Sequence, residues 1–564
     1  MSFVKYTTLA FFWLVLYSTS TISWAQEIAD AIYFNGTVIT LDEDDDVAQA
    51  MAIRGNKILA VGTNEEIQKL SAATTEMHDL QHKAILPGLY AAHDHFPGSG
   101  RVGITLVDLS SPPIGKIQTI DELISVLKEQ ASQVPAGTWI RGRGYDDTLM
   151  KEQRHPTRND LDKVSKVHPI WIGHTSGHLG VANSKALEIA KVTRDTKVSK
   201  GSHIRKNPET GDPNGVLEEC GGLITRHIPR NSDENELAAV KAAVEQYVSQ
   251  GVTTTVIAHG GTRSVSLLKR AIAEDILSFR IVTMTSGGPY AKARAEVLDL
   301  DSPLLKAGAI KLMQDGSIQG YTGYLREPYY RSGEHRGLPF RSREELTQKV
   351  KTLHRAGFQI ATHGNGDAAI DDILYAYEQA QKEFPRTDAR HRIEHAQMMR
   401  EDQIEKMHEL GVSPSYFVGH VYYWGDRHRD IFLGPERGSR ISPLATTLQK
   451  SVPFTVHDDT PVTPVDPLQL VWVAANRETS GGKVLGSQES IPVSAALRAV
   501  TIDAAWQNFE EDIKGSLVPG KLADFVIVDQ DPLSLEPQQI RDVRVLQTVV
   551  GGKTVYSATT ATTP

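Results

Sequence analysis

Residues 84–95 read Ala84-Ile85-Leu86-Pro87-Gly88-Leu89-Tyr90-Ala91-Ala92-His93-Asp94-His95, an apolar run closed by two imidazoles around a carboxylate. Short apolar runs bounded by turn and polar residues read as buried strands. Side chains two apart on a strand share a face, so His93 and His95 aim at one point while Asp94 faces away. Seven more runs of this kind occur at 251–259, 279–286, 308–314, 358–363, 391–395, 411–416 and 453–459. Helical stretches such as 344–356 and 368–384 separate several of them. Eight strands alternating with helices predict an α/β fold, a (β/α)₈ TIM-like barrel whose site lies at the C-terminal strand ends.

The polar residues fall on that count. His93 and His95 end the first strand, Lys311 lies on the fourth, His363 ends the fifth, His395 the sixth and Asp459 the eighth. All would converge on one mouth, where the His93/His95 pair can chelate a divalent ion. Imidazole and carboxylate without thiolate suit zinc, with manganese, iron or cobalt as substitutes. The composition agrees: 20 His stand against one Cys, Cys220, which excludes an intrachain disulfide or a thiolate cluster. A net charge of −9 argues against nucleic acid as partner, because phosphate backbones need a basic surface. A small-molecule substrate is expected, and a homo-oligomer stays open.

The 564 residues are enough for several domains. Residues 1–25 read as a signal peptide: Lys5 precedes an apolar run at 9–16, and Ser23-Trp24-Ala25 before Gln26 resembles a cleavage site. The mature protein is expected to be periplasmic or secreted, with no membrane attachment after cleavage. β-rich runs at 31–41, 50–62 and 77–86 have counterparts at 523–528 and 543–556. Residues 26–83 and 515–564 are therefore expected to form one small β-sandwich domain, and residues 84–514 the barrel. The interval from first to second strand is too long for one crossover, so about 98–249 is read as a lid-like insertion.

Leu86-Pro87-Gly88 leading into His93-Asp94-His95, Arg392-Ile393-Glu394-His395, and Lys514-Gly515-Ser516-Leu517-Val518-Pro519-Gly520-Lys521-Leu522-Ala523-Asp524 resemble the amidohydrolase superfamily. The nearest group is the YtcJ-like metal-dependent hydrolases (amidohydrolase family 3), which include N-substituted formamide deformylases. Further matching stretches are 139–145, Ser176-Gly177-His178 with Asn183-Ser184, 211–217, and Lys311 with Asp315-Gly316-Ser317. The resemblance implies His93, His95 and Asp459 on one metal ion, His363 and His395 on a second, and Lys311 between them as a carbamate. An ammonium cannot ligate a cation, so Lys311 must be carbamylated or deprotonated; if it instead pairs with Asp315 or a substrate carboxylate, a one-metal site remains. The eighth strand departs from the family's Gly-Ser-Asp, reading His457-Asp458-Asp459-Thr460-Pro461-Val462. Register against Pro461-Val462 selects Asp459; a shift of one residue selects Asp458. Alternation puts His457 on the face of Asp459, within reach of the metal or substrate.

The expected chemistry is cleavage of a C–N amide-type bond, in an N-acyl or N-formyl amine, by a metal-activated hydroxide. Asp459 would move the proton and His178 would stabilise the oxyanion. Arg143, Tyr145, Tyr324 and His174 are candidate substrate contacts, as are His259 and Arg141. Gly142-Arg143-Gly144 lacks the third glycine of a dinucleotide fingerprint, and Cys220 has no base beside it. A deaminase or a cyclic-amide or ester hydrolase is the alternative enzyme reading. His363 is followed by Gly364-Asn365-Gly366-Asp367 without the Glu of one-metal deaminases, which disfavours the first. A non-catalytic periplasmic regulatory or binding protein is the alternative from another class.

Overall fold

The computed structural model describes residues 27–286 and 302–558; the expected leader lies outside them. Eight parallel strands run in sequence order around one sheet: Leu89–Asp94, Val252–Gly260, Arg280–Thr285, Leu305–Met313, Ile360–Gly364, Arg392–His395, Ser413–Tyr416 and Thr455–Val456. Each pairs in parallel with the next. The ring is completed between first and last strands, where His95 N–H donates to Thr460 O at 2.7 Å and Thr460 N–H to Asp94 Oδ1 at 2.6 Å. The expected TIM-like barrel is present.

Local sequence explains the outer helices. In Arg343–Arg355, Ser342 caps the Glu345 N–H and Glu345 returns the bond to the Ser342 N–H, while Glu344 and Glu345 face the positive end of the helix dipole. Leu346, Val350 and Leu353 then repeat on one face and pack with Ile360, Ile370, Ile373 and Ile393 in the largest apolar cluster.

The expected first strand divides at Gly88. Ala84–Pro87 pairs antiparallel with Phe525–Val528 and parallel with Thr37–Ile39, so it belongs to the sheet of the chain ends, and the barrel begins at Leu89. A Cβ at Gly88 would stand 2.1 Å from Thr253 Oγ1, so no side chain fits where the chain leaves one sheet for the other. That six-stranded sheet unites both chain ends, and a four-stranded sheet centred on Ala31–Phe34 and Ala50–Arg54 shares its core through Tyr33, Met51, Ile85 and Phe525. Arg280 at the foot of the third barrel strand grips Asp524 through two bonds of 2.6 and 2.9 Å, and both residues are buried.

Between the first two barrel strands lies a mixed six-stranded sheet, Val107–Asp108 to Pro213–Glu218, with its own core around Leu123, Leu127, Leu161, Ile170 and Ile172. The helix Asp233–Ser249 returns to the barrel, packing Leu237, Val240, Val244 and Tyr247 against Val252 and Phe279. Among the described residues no helix is long and apolar enough to cross a membrane.

Removing one partner of a buried ion pair strands the other charge, at a cost of about 3–5 kcal/mol. Asp524→Ala is expected to destabilise the protein by that amount, read as a lowered unfolding midpoint in urea.

Candidate metal centre

The ends of the first and eighth strands bring three ligand atoms together. Asp459 Oδ1 lies 3.0 Å from His95 Nε2 and 3.6 Å from His93 Nε2. His93, His95 and Asp459 form a group whose ligand atoms could hold one ion. Asp459 Oδ1 is buried with these two imidazole nitrogens as its partners, His95 Nε2 the nearer, and a cation placed among the three would offset the cost of desolvating the carboxylate. Asp459 reaches this position because the chain turns there with φ 56°, a left-handed conformation costly for a non-glycine residue. His395 shares that feature at φ 71°, so two strand ends carry backbone strain at the mouth.

Electrostatics suit cation binding. Burial, reinforced by Lys311, pushes the His93 imidazole well below its ordinary pKa, so it is neutral and its lone pair is free to ligate. Burial by itself would raise Asp459, but His95 beside it wins and holds the carboxyl below the usual range. Lys311 Nζ lies 3.2 Å from His93 Nε2, and burial lowers it to about 8.

His93 is oriented from behind. Its Nδ1 meets Glu394 Oε2, leaving Nε2 toward Asp459, and Arg392 in turn holds Glu394 through Nε at 2.8 Å. The Arg392 and Glu394 side chains are fully buried. This is the carboxylate–histidine arrangement that fixes the tautomer of a metal ligand. The sequence reading assigned Glu394 no role, although the i, i+2 rule already turns Arg392 and Glu394 to one face of the sixth strand.

The second pair differs. The His363 and His395 rings lie 4.4 Å apart, and His395 stands 4.7 Å from His93. However, His363 Nε2 faces Gly316 O at 3.1 Å, and His395 Nδ1 faces His457 Nε2 at 3.1 Å. They sit beside the three-ligand group without repeating its convergence.

Other candidates are sorted by depth. His457 is fully buried between His395 and Ser415 Oγ, 2.9 Å from its Nδ1, and its ring stacks on that of His93 at 4.8 Å. The eighth strand ends at Val456, and Asp459, three residues beyond it, takes a left-handed turn; His457 and Asp459 are both buried. Asp458 points elsewhere, accepting from Asp466 N–H at 2.9 Å. Tyr145 is also no pocket wall: it is wholly buried in the inserted sheet against His174, at 5.2 Å between rings. His174 is paired there with Asp147 at 3.1 Å, and Tyr324 gives its backbone N–H to Asp315 at 2.9 Å. Tyr324 makes no hydrogen bond or ring contact with the metal-site histidines among the described residues.

His178 arrives from the insertion, its ring 5.3 Å from that of His363. Both Glu219 carboxylate oxygens lie 3.0 Å from His178 Nδ1, and against the lowering effect of burial this carboxylate holds the imidazole above its ordinary pKa. The sequence reading assigned Glu219 no role. Arg143 donates to Pro461 O at 2.7 Å and lines, with His95 and His259, a cavity of about 590 Å³.

A family model described as the amidohydrolase family matches residues 76–556. The N-substituted formamide deformylase of Arthrobacter pascens is 27% identical over 94% of this chain and 99% of its own. The putative amidohydrolase YtcJ of Bacillus subtilis is 27% identical over 93% and 99% respectively. Among solved structures, an uncharacterised metal-dependent hydrolase from Pyrococcus horikoshii superposes with a TM-score of 0.70 at 25% identity, covering 90% of this chain and 99% of the other.

Outer partners of metal-ligating histidines contribute about 10–100-fold to affinity. Glu394→Gln is expected to weaken zinc binding by that factor in a competitive chelator titration. Asp459→Asn removes a ligand atom and should weaken it further, whereas Asp458→Asn should leave it unchanged.

Proposed function

Since the chain belongs to the amidohydrolase family and is a metal-dependent hydrolase of carbon–nitrogen bonds other than peptide bonds, we propose that its substrate is a small N-formyl or N-acyl amine. The observation carrying this reading is the meeting of His93, His95 and Asp459 ligand atoms at the C-terminal end of the barrel strands. Zinc is the proposed ion, from the nitrogen and oxygen donor set. When bound, it polarises the amide carbonyl and lowers the pKa of a water to about 7.

The chain's own residues supply the rest. His93 and His95 would hold the ion through their Nε2 atoms, with Glu394 fixing the ring of the first. Asp459 takes the proton of the attacking water at its carboxylate and returns it to the leaving nitrogen, so that an amine and a carboxylic acid, formate for a formamide, are the products. His178 donates a hydrogen bond to the developing oxyanion, and Glu219 holds the ring in place. Lys311 is proposed to act as a carbamate; its lowered pKa supports this, because only the neutral amine reacts with carbon dioxide. His363 and His395 would be the residues to hold a second ion if one is bound.

Zinc-loaded enzyme should release amine from N-formyl amines and lose that activity to a chelator. Failure of metal-loaded enzyme to cleave any member of an N-acyl amine panel would overturn the reading. Asp459→Asn should lower kcat by about 10²–10⁴-fold. His178→Ala should cost about 10²–10³-fold. Glu219→Gln should slow the wild type but have no further effect in the His178→Ala background, as required if it acts through that ring.

A further inference from the structure

The protein carries a net charge of −9, yet the cavity of about 590 Å³ beside His95 and His259 has the opposite sign. Its lining includes Arg101, Arg141, Arg143, Arg230 and Arg263 against one carboxylate, Glu236. Glu236 is spent on Arg101, 2.8 Å away. Among the described residues, no ion pair joins Arg141, Arg143, Arg230 or Arg263 to a carboxylate around this cavity.

Two of these guanidiniums are built into place. Arg141 donates to Thr105 O at 2.9 Å and to Asn231 Oδ1 at 2.6 Å, and Asn231 is braced by Glu236 at 2.7 Å. Arg143 spends one nitrogen on Pro461 O at 2.7 Å, two residues from Asp459. Burial depresses both, Arg143 to about 10, so each remains charged at neutral pH. The carboxylates that Arg143 feels are Asp459, committed to the metal centre, and Asp108. Neither guanidinium has a carboxylate in direct contact among the described residues, and a guanidinium with free N–H groups matches a planar carboxylate.

We infer that the substrate carries an anionic group, a carboxylate on the side of the molecule away from the scissile amide, received by Arg143 and Arg141 with Arg230 and Arg263 at the rim. The inference rests on the hydrolase reading of the metal centre and narrows it. The neutral amide is placed at His95 and Asp459, and the negative end is drawn along the arginines. The rim arginines, exposed to solvent, attract the anion on approach, an effect that salt weakens.

The test compares 4-formamidobenzoate with 4-formamidobenzamide, alike in size and different in charge, on zinc-loaded enzyme. The benzoate is expected to have a kcat/KM about 10–100-fold higher, through KM, with the preference shrinking from 50 to 500 mM salt, since bonds to charged groups contribute in that range. Arg143→Met should remove most of the preference, and Arg143→Lys should restore part of it. Because Arg143 also braces Pro461, Arg230→Gln/Arg263→Gln provides an arm away from the metal and should weaken the salt dependence. Equal rates on the two probes, or equal losses on both in the variants, would overturn the inference and leave the hydrolase reading standing. If neither probe is cleaved, calorimetric binding of 4-acetamidobenzoate against 4-acetamidobenzamide decides it. Selective benzoate binding lost in Arg143→Met upholds the anion site, and its absence overturns it.

Discussion

The hydrogen bonds from His95 N–H to Thr460 O and from Thr460 N–H to Asp94 Oδ1 join the two ends of an eight-stranded ring. They lie just past the ends of the first and last strands and tie the segment carrying Asp459 to the one carrying His93 and His95. The same bonds thus finish the barrel and assemble the ligand group. Asp94, which the strand pleat turns away from the metal, is a structural clasp for the aspartate that faces it.

Around that closure the protein surrounds charge with charge at every level. His93 is held by Glu394, Glu394 by Arg392, and Arg392 Nη2 by Ala92 O at 3.2 Å, next to His93 in sequence. This loop of contacts lies inside the barrel, where an unpaired member would be expensive. Asp315 plays a comparable part at the fourth strand end, accepting N–H bonds from Tyr324, Asn365 and Gly366 and so fixing the loops next to His363. The strained backbone at His395 and Asp459 is affordable only in such a heavily determined setting.

Much of the architecture was legible because it is written in short-range periodicity. The apolar runs, their helical spacers and the polar residues at their ends locate the barrel and its mouth. The division at Gly88 was harder to read, since one apolar run serves two sheets without a break in pattern. The inserted module was visible as length alone, since its pairing depends on which strand edges meet. Glu219 was likewise hidden: its role depends on the adjacent strands Leu179–Ala182 and Pro213–Glu218 bringing it beside His178.

By itself, then, the sequence determined the strand count, the family and the pool of ligand-type side chains, because alternation and motif spacing are local properties of the chain. Only the tertiary structure decided which members of that pool stand at the surface of the site. His457 and Asp459 share a strand face in principle, but past the strand end a left-handed turn sets Asp459 against His93 and His95 while His457 meets His395 and Ser415. Glu394 meets His93 across 301 residues, and arginines scattered from 101 to 263 line one cavity. Such juxtapositions are set by closure of the barrel and docking of the insertion upon it, and no periodicity in the chain records them.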